Sequence, residues 1–181
     1  ARRFSQLKPQ PRSNENLNDL VTSVEPLFRM EARRRGIDLS VVCDPQLPSL
    51  PVDSVQIQQV LTNLIQNAFD ALEETPRYRR RVRITTSSQP FQSVSVSIAD
   101  TGPGIPDDQA GKIFEPFFTT RPDGTGMGLA IVRGIVESHG GTILVENNGD
   151  GGATITVRLP LAAPDLVAVS TALDAEGPSH D

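Results

Sequence analysis

Cysteine, lysine and long apolar runs are all scarce in this chain of 181 residues. The single cysteine, Cys43, cannot close an internal disulfide, so nothing points to an oxidising compartment and the thiol is expected in the core. Lysine occurs only at Lys8 and Lys112, and neither stands in a GxxxxGK[ST] frame, which excludes a P-loop. No apolar run approaches the roughly 20 residues that cross a bilayer, and no signal peptide opens the chain. This segment is therefore expected to be soluble and cytoplasmic with no membrane contact of its own, although a longer parent can still be anchored. Positive charge is in deficit as well: 17 Lys and Arg against 22 Asp and Glu give a net charge of -5, which argues against nucleic acid as a partner. Arg77, Arg79, Arg80, Arg81 and Arg83 do form a local basic run, read as a solvated turn and strand edge.

What is present suffices for one domain with termini, large enough to bury about 70% of its unfolded surface. Residues 1–15 are polar, hold two prolines and keep no periodicity, so they read as a linker. A helix is expected from Asn16, its N-cap, to Gly36, its stop, with Leu17, Leu20, Val21, Val24, Leu27 and Phe28 on one face and a turn or kink at Pro26. Ile37, Leu39, Val41 and Cys43 alternate as a strand, and Pro45, Pro48 and Pro51 mark a loop. Asp53 to about Glu74 carries an unbroken helical stripe. Val82–Thr86 and Val94–Asp100 read as two strands, a loop rich in Gly, Pro and Phe follows, and a helix runs from about Gly126 to Ser138. GTILVENN and ATITVRLP close the domain near residue 160 as a hairpin. The acidic, aperiodic tail 161–181 is expected to be disordered or a linker. The expected fold is an α/β (α+β) two-layer sandwich, a mixed and mostly antiparallel sheet of about five strands packed on three main helices.

Within thirty residues, Asp100 to Leu129, the boxes DTGPGIP, FEPFFTT and GTGMGL follow one another, and upstream a helix carries QVLTNLIQNAFDA. On that helix Gln56, Asn63, Asn67 and Asp70 share one polar strip. Asparagine is a mediocre helix former, so the pair spaced by four either offers carbonyl oxygen to a hard cation such as Mg²⁺ or lines a solvated face. Asp100 ends a strand just before Gly102 and Gly104, where a flat ring can approach the backbone. An ionised carboxylate only accepts hydrogen bonds, so it suits adenine's exocyclic amine and repels guanine's carbonyl, unless the segment is an ordinary tight turn. Gly124, Gly126 and Gly128 precede a helix, where free N–H groups and the helix dipole favour polyphosphate. GTGMGL lacks the final spacing of GxGxxG and follows a loop, which disfavours a dinucleotide fingerprint. Phe114, Phe117 and Phe118 suit either a mobile lid anchored by aromatic rings or core packing.

With those boxes in order, Asn16 to Pro160 resembles the catalytic and ATP-binding domain of sensor histidine kinases, the Bergerat-type fold, and looks most like the nitrogen-regulation and oxygen-sensing subgroup. NLIQNAFDA resembles the N box, DTGPGIP the first glycine box, FEPFF the F box and GTGMGL the second glycine box. The resemblance implies ATP and Mg²⁺ as cofactors, with Asn67 the magnesium ligand and Asn63 and Asp70 on the phosphate side. By the same resemblance Asp100 reads adenine, and Gly102, Gly104 and Ile105 shape its pocket. Thr119, Thr120 and Arg121 begin the ATP lid, and Gly124, Thr125, Gly126, Met127, Gly128 and Leu129 receive the phosphates. Thr154 supports the adenine-binding aspartate through hydroxyl and water contacts. The family's phosphoacceptor histidine stands on an upstream dimerisation hairpin that is missing here. The histidines present are His139, expected to be structural at a helix end, and His180 in the tail. The implied partners are that dimerisation domain and a response regulator. The implied activity is transfer of the γ-phosphoryl group to histidine; the alternatives are a related ATPase or a non-catalytic nucleotide-binding module. The related ATPases use a glutamate four residues before the metal-binding asparagine. Asn63 stands there and an amide is no base, which favours transfer.

Overall fold

The protein is described from a computed structural model over residues 11–89, 92–119 and 124–161. It begins with a short strand, β1 (Ser13–Glu15), followed by α1 (Leu17–Arg35). Asn16 caps this helix by accepting the Asn18 N–H at 2.8 Å, and Gly36 ends it with a left-handed φ of 67°. The helix runs through Pro26 without a break, correcting the expected turn: Pro26 is exposed, so the unpaired carbonyl one turn back is left to water. Strand β2 (Asp38–Val42) leads to β3 (Leu50–Val52) and then to α2 (Ser54–Ala71), capped by the Asp53 carboxylate on the Gln56 N–H. The strand β3 sits in the proline-rich stretch read as loop, and it pairs antiparallel with β1, at the end of the stretch read as linker. Pro51 stands opposite Asn14 in this two-stranded ribbon, where an edge strand tolerates a missing N–H.

A 3₁₀ turn (Arg77–Arg79) leads into β4 (Arg81–Gln89) and β5 (Ser93–Asp100); after a long loop come α3 (Gly128–Ser138), β6 (Thr142–Asn147) and β7 (Ala153–Pro160). The main sheet has the order β2-β4-β5-β7-β6, with only β2 and β4 parallel. That pair requires a crossover, and α2 lies in it. Alternation decides which face is covered. Val82, Ile84, Val94, Val96, Ile98, Val157 and Leu159 are buried toward the helices, while Ser87 meets Ser95 and Ser97 meets Thr156 on the other face. Each such buried aliphatic side chain contributes roughly 1.5–3 kcal/mol. Phe28 of α1 and Phe69 of α2 meet edge to face at 5.6 Å in the same core. Cys43, expected in the core, is only half-buried just past β2. The observed layers are those expected, a mixed five-stranded sheet under three helices.

Candidate nucleotide site

The stripe that buries Leu61, Leu64, Ile65 and Ala68 turns the opposite side of α2 toward α3. Asn63 and Asn67 face the start of that helix. Asn63 Nδ2 lies 3.5 Å from the Gly128 carbonyl, and a Cβ placed on Gly128 would stand 3.9 Å from both amides. The buried Nδ2 of Asn67 has no hydrogen-bond partner in the described structure. A buried amide left without a partner is costly, so its carboxamide is held ready for something else.

The N-terminus of α3 has the same unfinished character. Asn16 and Asp53 cap α1 and α2 with side chains, whereas α3 begins after Met127 with no side-chain cap and no acidic residue in its first turn. Uncapped N–H groups at a helix start are the kind of arrangement that suits an anion. Gly126 lies outside the helix, which starts two residues later than the sequence suggested. Its left-handed φ of 66° lets the backbone of Phe117 pack directly against it, with the Phe117 N–H on the Gly126 carbonyl at 2.9 Å. Gly124 and Thr125 are exposed, and Met127, Gly128 and Leu129 half-buried. Thr119, also exposed, ends the preceding described stretch; Thr120 and Arg121 lie outside the described residues, as does His180.

At the C-terminal end of β5, the Asp100 Oδ1 accepts the Gly102 N–H at 2.8 Å and the Ala153 N–H at 3.4 Å. Burial pushes this carboxyl above the usual range, and the bonds from Gly102 and Ala153 oppose the shift. Thr154 stands close by. Its hydroxyl donates to Asn148 Oδ1 at 2.7 Å, and Asn148 Nδ2 donates to the Asp100 backbone carbonyl at 3.1 Å, so threonine steadies the strand end through asparagine. Gly152, with φ 87°, packs so tightly on Asp100 that a Cβ would overlap the Asp100 carbonyl. Asn147 reaches the same region: the Ile105 N–H donates to its Oδ1 at 2.8 Å, and its Nδ2 donates to the Ile105 carbonyl at 2.7 Å. Gly104 abuts that Oδ1. Asn147, Asn148 and Gly152 were missed in the sequence; the only signal was a polar, glycine-rich hairpin turn, which reads first as turn chemistry.

Asp70 is held by Arg35 Nη1 and by Gln66 Nε2, each 2.9 Å from Oδ1, which ties the end of α2 to the end of α1. A cleft of about 400 Å³ opens beside this pair among Arg34, Arg77, Arg80 and Glu73. Arg80 spans it with bonds to the carbonyls of Arg35, Glu73 and Thr75, so this cleft is a cross-linked joint between elements. Of the three phenylalanines, Phe114 and Phe118 are half-buried and Phe117 is 77% exposed; none belongs to the main core. His139 is buried, its Nε2 accepting the Asp53 N–H at 3.1 Å while Nδ1 faces the Ile135 carbonyl at 2.8 Å. The neutral tautomer with hydrogen on Nδ1 satisfies both contacts. Among the described residues no group of three or more His, Cys, Asp or Glu converges as a metal site, and no helix is long and apolar enough to cross a membrane.

Residues 52–163 match the model of the histidine kinase-, DNA gyrase B- and HSP90-like ATPases. The chain is 38% identical over 148 residues to the sensor protein FixL of Bradyrhizobium diazoefficiens, an alignment that covers 82% of this chain and 29% of FixL. It thus spans less than a third of the length of that relative. Among solved structures, the catalytic domain of histidine kinase ThkA superposes with a TM-score of 0.75 at 37% identity, covering 84% of this chain and 97% of that one. ThkA in complex with the response regulator TrrA gives a TM-score of 0.71 at 35% identity, covering 84% and 42%.

Proposed function

Because the chain belongs to the histidine kinase-, DNA gyrase B- and HSP90-like ATPase family, as an ATP-binding catalytic domain of the sensor histidine kinase type, we propose that it binds Mg·ATP between α2 and α3. It then presents the γ-phosphoryl group to a histidine on a separate dimerisation domain. The observation that carries this reading is that the Asn63 and Asn67 amides lie directly against the uncapped start of α3, with Asp100 at the end of β5.

The donor chemistry fits magnesium. Asn67 would supply one hard amide oxygen, the carboxamide turning its oxygen inward, beside water and phosphate oxygens. Bound there, Mg²⁺ would neutralise charge on the transferring phosphoryl group. The chain's own residues position the substrate. Asp100 accepts from adenine, the N–H groups from Gly126 to Leu129 hold the phosphates, and Asn63 shares the phosphate side with Asn67. Asp70, anchored to Arg35, holds the C-terminal end of α2, the helix that carries these asparagines. Neutral imidazole is itself the nucleophile: its lone pair forms the P–N bond while the β–γ bridging P–O bond breaks and ADP leaves. No base on this chain is needed, which agrees with an amide at Asn63 and disfavours hydrolysis.

The partner receiving the phosphoryl group downstream is a response regulator, by likeness to ThkA, which has been solved with TrrA. Residues 1–15 serve as the linker from the dimerisation domain, and the protein works in the cytoplasm, where ATP is available. Mixing the chain with γ-labelled ATP, Mg²⁺ and a dimerisation hairpin carrying the acceptor histidine should yield acid-labile phosphohistidine on the hairpin. Release of free phosphate without any acceptor, at the rate of labelling, would favour the ATPase alternative.

A further inference from the structure

The end of β6 lies outside all four boxes, yet its last residue, Asn147, grips the chain where the adenine loop becomes the lid. One carboxamide, Asn147, takes both backbone groups of Ile105, accepting its N–H at 2.8 Å and donating to its carbonyl at 2.7 Å. That arrangement imitates a ladder pair beyond the end of the sheet, since β5 finishes at Asp100. The same Oδ1 closes the space at Gly104, where a Cβ would stand 2.8 Å away. From Pro106 onward the chain forms only turns up to Phe118, and the lid closes again where Phe117 binds Gly126. Asn147 and the Phe117–Gly126 bond are therefore the two pins at the base of the lid.

We propose that Asn147 is a positioning residue for the nucleotide, fixing the Gly102–Ile105 loop at the width of the adenine ring and setting the hinge of the lid. This rests on reading Asp100 and its loop as the adenine pocket. Without the clamp, the backbone of Ile105 turns to water and the nucleotide itself must order the loop, which weakens binding. Only a group that both donates and accepts can serve. A carboxylate retains the contact to the Ile105 N–H but repels the Ile105 carbonyl, and a protonated carboxyl regains the donor.

Calorimetry with ADP and ATP on Asn147→Ala and Asn147→Asp tests this. Asn147→Ala should weaken ADP and ATP alike by roughly tenfold, the scale of one to two neutral hydrogen bonds. The ATP-to-ADP ratio should stay unchanged, and the nucleotide-free protein should melt only slightly earlier, by no more than the loss of these one to two hydrogen bonds at an exposed residue implies. Asn147→Asp should be similarly weak at neutral pH, with its deficit against the wild type closing as the pH falls toward about 4, the ordinary aspartate range. Comparison at each pH removes the titration of Asp100, which both proteins share. Wild-type affinity in Asn147→Ala, or a deficit in Asn147→Asp that is flat with pH, overturns the proposal. If Asn147→Ala melts far earlier, the pH profile of Asn147→Asp decides alone. Failure of the wild type to bind ADP would instead strike the nucleotide reading beneath it.

Discussion

An aspartate drawn out of water at the end of β5 responds to pH in two opposite ways. Burial raises the Asp100 carboxyl, so its ionised form costs the fold something: its contribution to stability is full below the ordinary aspartate range and is lost as pH rises through the raised value. Adenine binding has the reverse sign, because the charged acceptor disappears as pH falls through the same value. ADP affinity should therefore decline as the pH is lowered through the raised value, and Asp100→Asn should remove that dependence while costing about 1.5–3 kcal/mol of binding. Unchanged affinity in a folded Asp100→Asn protein would take Asp100 out of the pocket. Asn67 makes a different contrast. Asn67→Ala should reduce ATP affinity more with Mg²⁺ than with excess chelator, since one oxygen ligand is lost from an ion that otherwise relies on water and phosphates. Equal losses in the two titrations would mean that Asn67 only packs. Both residues were legible in the sequence because their types are chemically unusual where they stand, an amide pair in a helix and an acid at a strand end. Gly152, which lets the hairpin turn press on Asp100, was not: a glycine in a turn has a sufficient local reason to be there.

Elements differ in how firmly their own residues hold them. The last turns of α1 are braced by Glu31, whose carboxyl is held down to about 2 by hydrogen bonds from Arg34 and then Arg35. A depressed carboxyl stabilises the fold above its unfolded value near 4.5, and that contribution is lost as pH falls toward 2. Glu31→Gln should accordingly melt earlier than the wild type at neutral pH, with the two converging in strong acid; a gap that persists near pH 2 would assign the effect to packing. The stretch Pro106–Thr119 stands at the other extreme, with successive turns, only Ile113 buried and no ladder or helix among its bonds. Amide exchange there should be fast in the nucleotide-free protein and slow markedly when Mg·ATP is added. Protection equal to that of α2 and α3 before nucleotide is added would contradict its role as a lid.

At the scale of the molecule, nucleotide capture and phosphoryl acceptance belong to different parts. The chain alone should bind ATP and remain unlabelled, because His139 is buried with both ring nitrogens engaged by Asp53 and Ile135. An acceptor hairpin supplied in trans should become labelled slowly, since tethering provides an effective concentration in the millimolar range. Acid-labile labelling of the chain alone, abolished by His139→Gln, would reverse that assignment. The three helices, the main strands and the succession of boxes are legible in the chain alone, because periodicity, caps and glycine spacing act over a few neighbouring residues. Only the packed fold brings Ser13–Glu15 to Leu50–Val52, Asp70 to Arg35, and Thr154 to Asp100 through Asn148. It alone placed Asn147 on Ile105 across 42 residues of chain. Each of these joins groups that are ordinary in their local setting, and their function lies in a distance that no local pattern encodes.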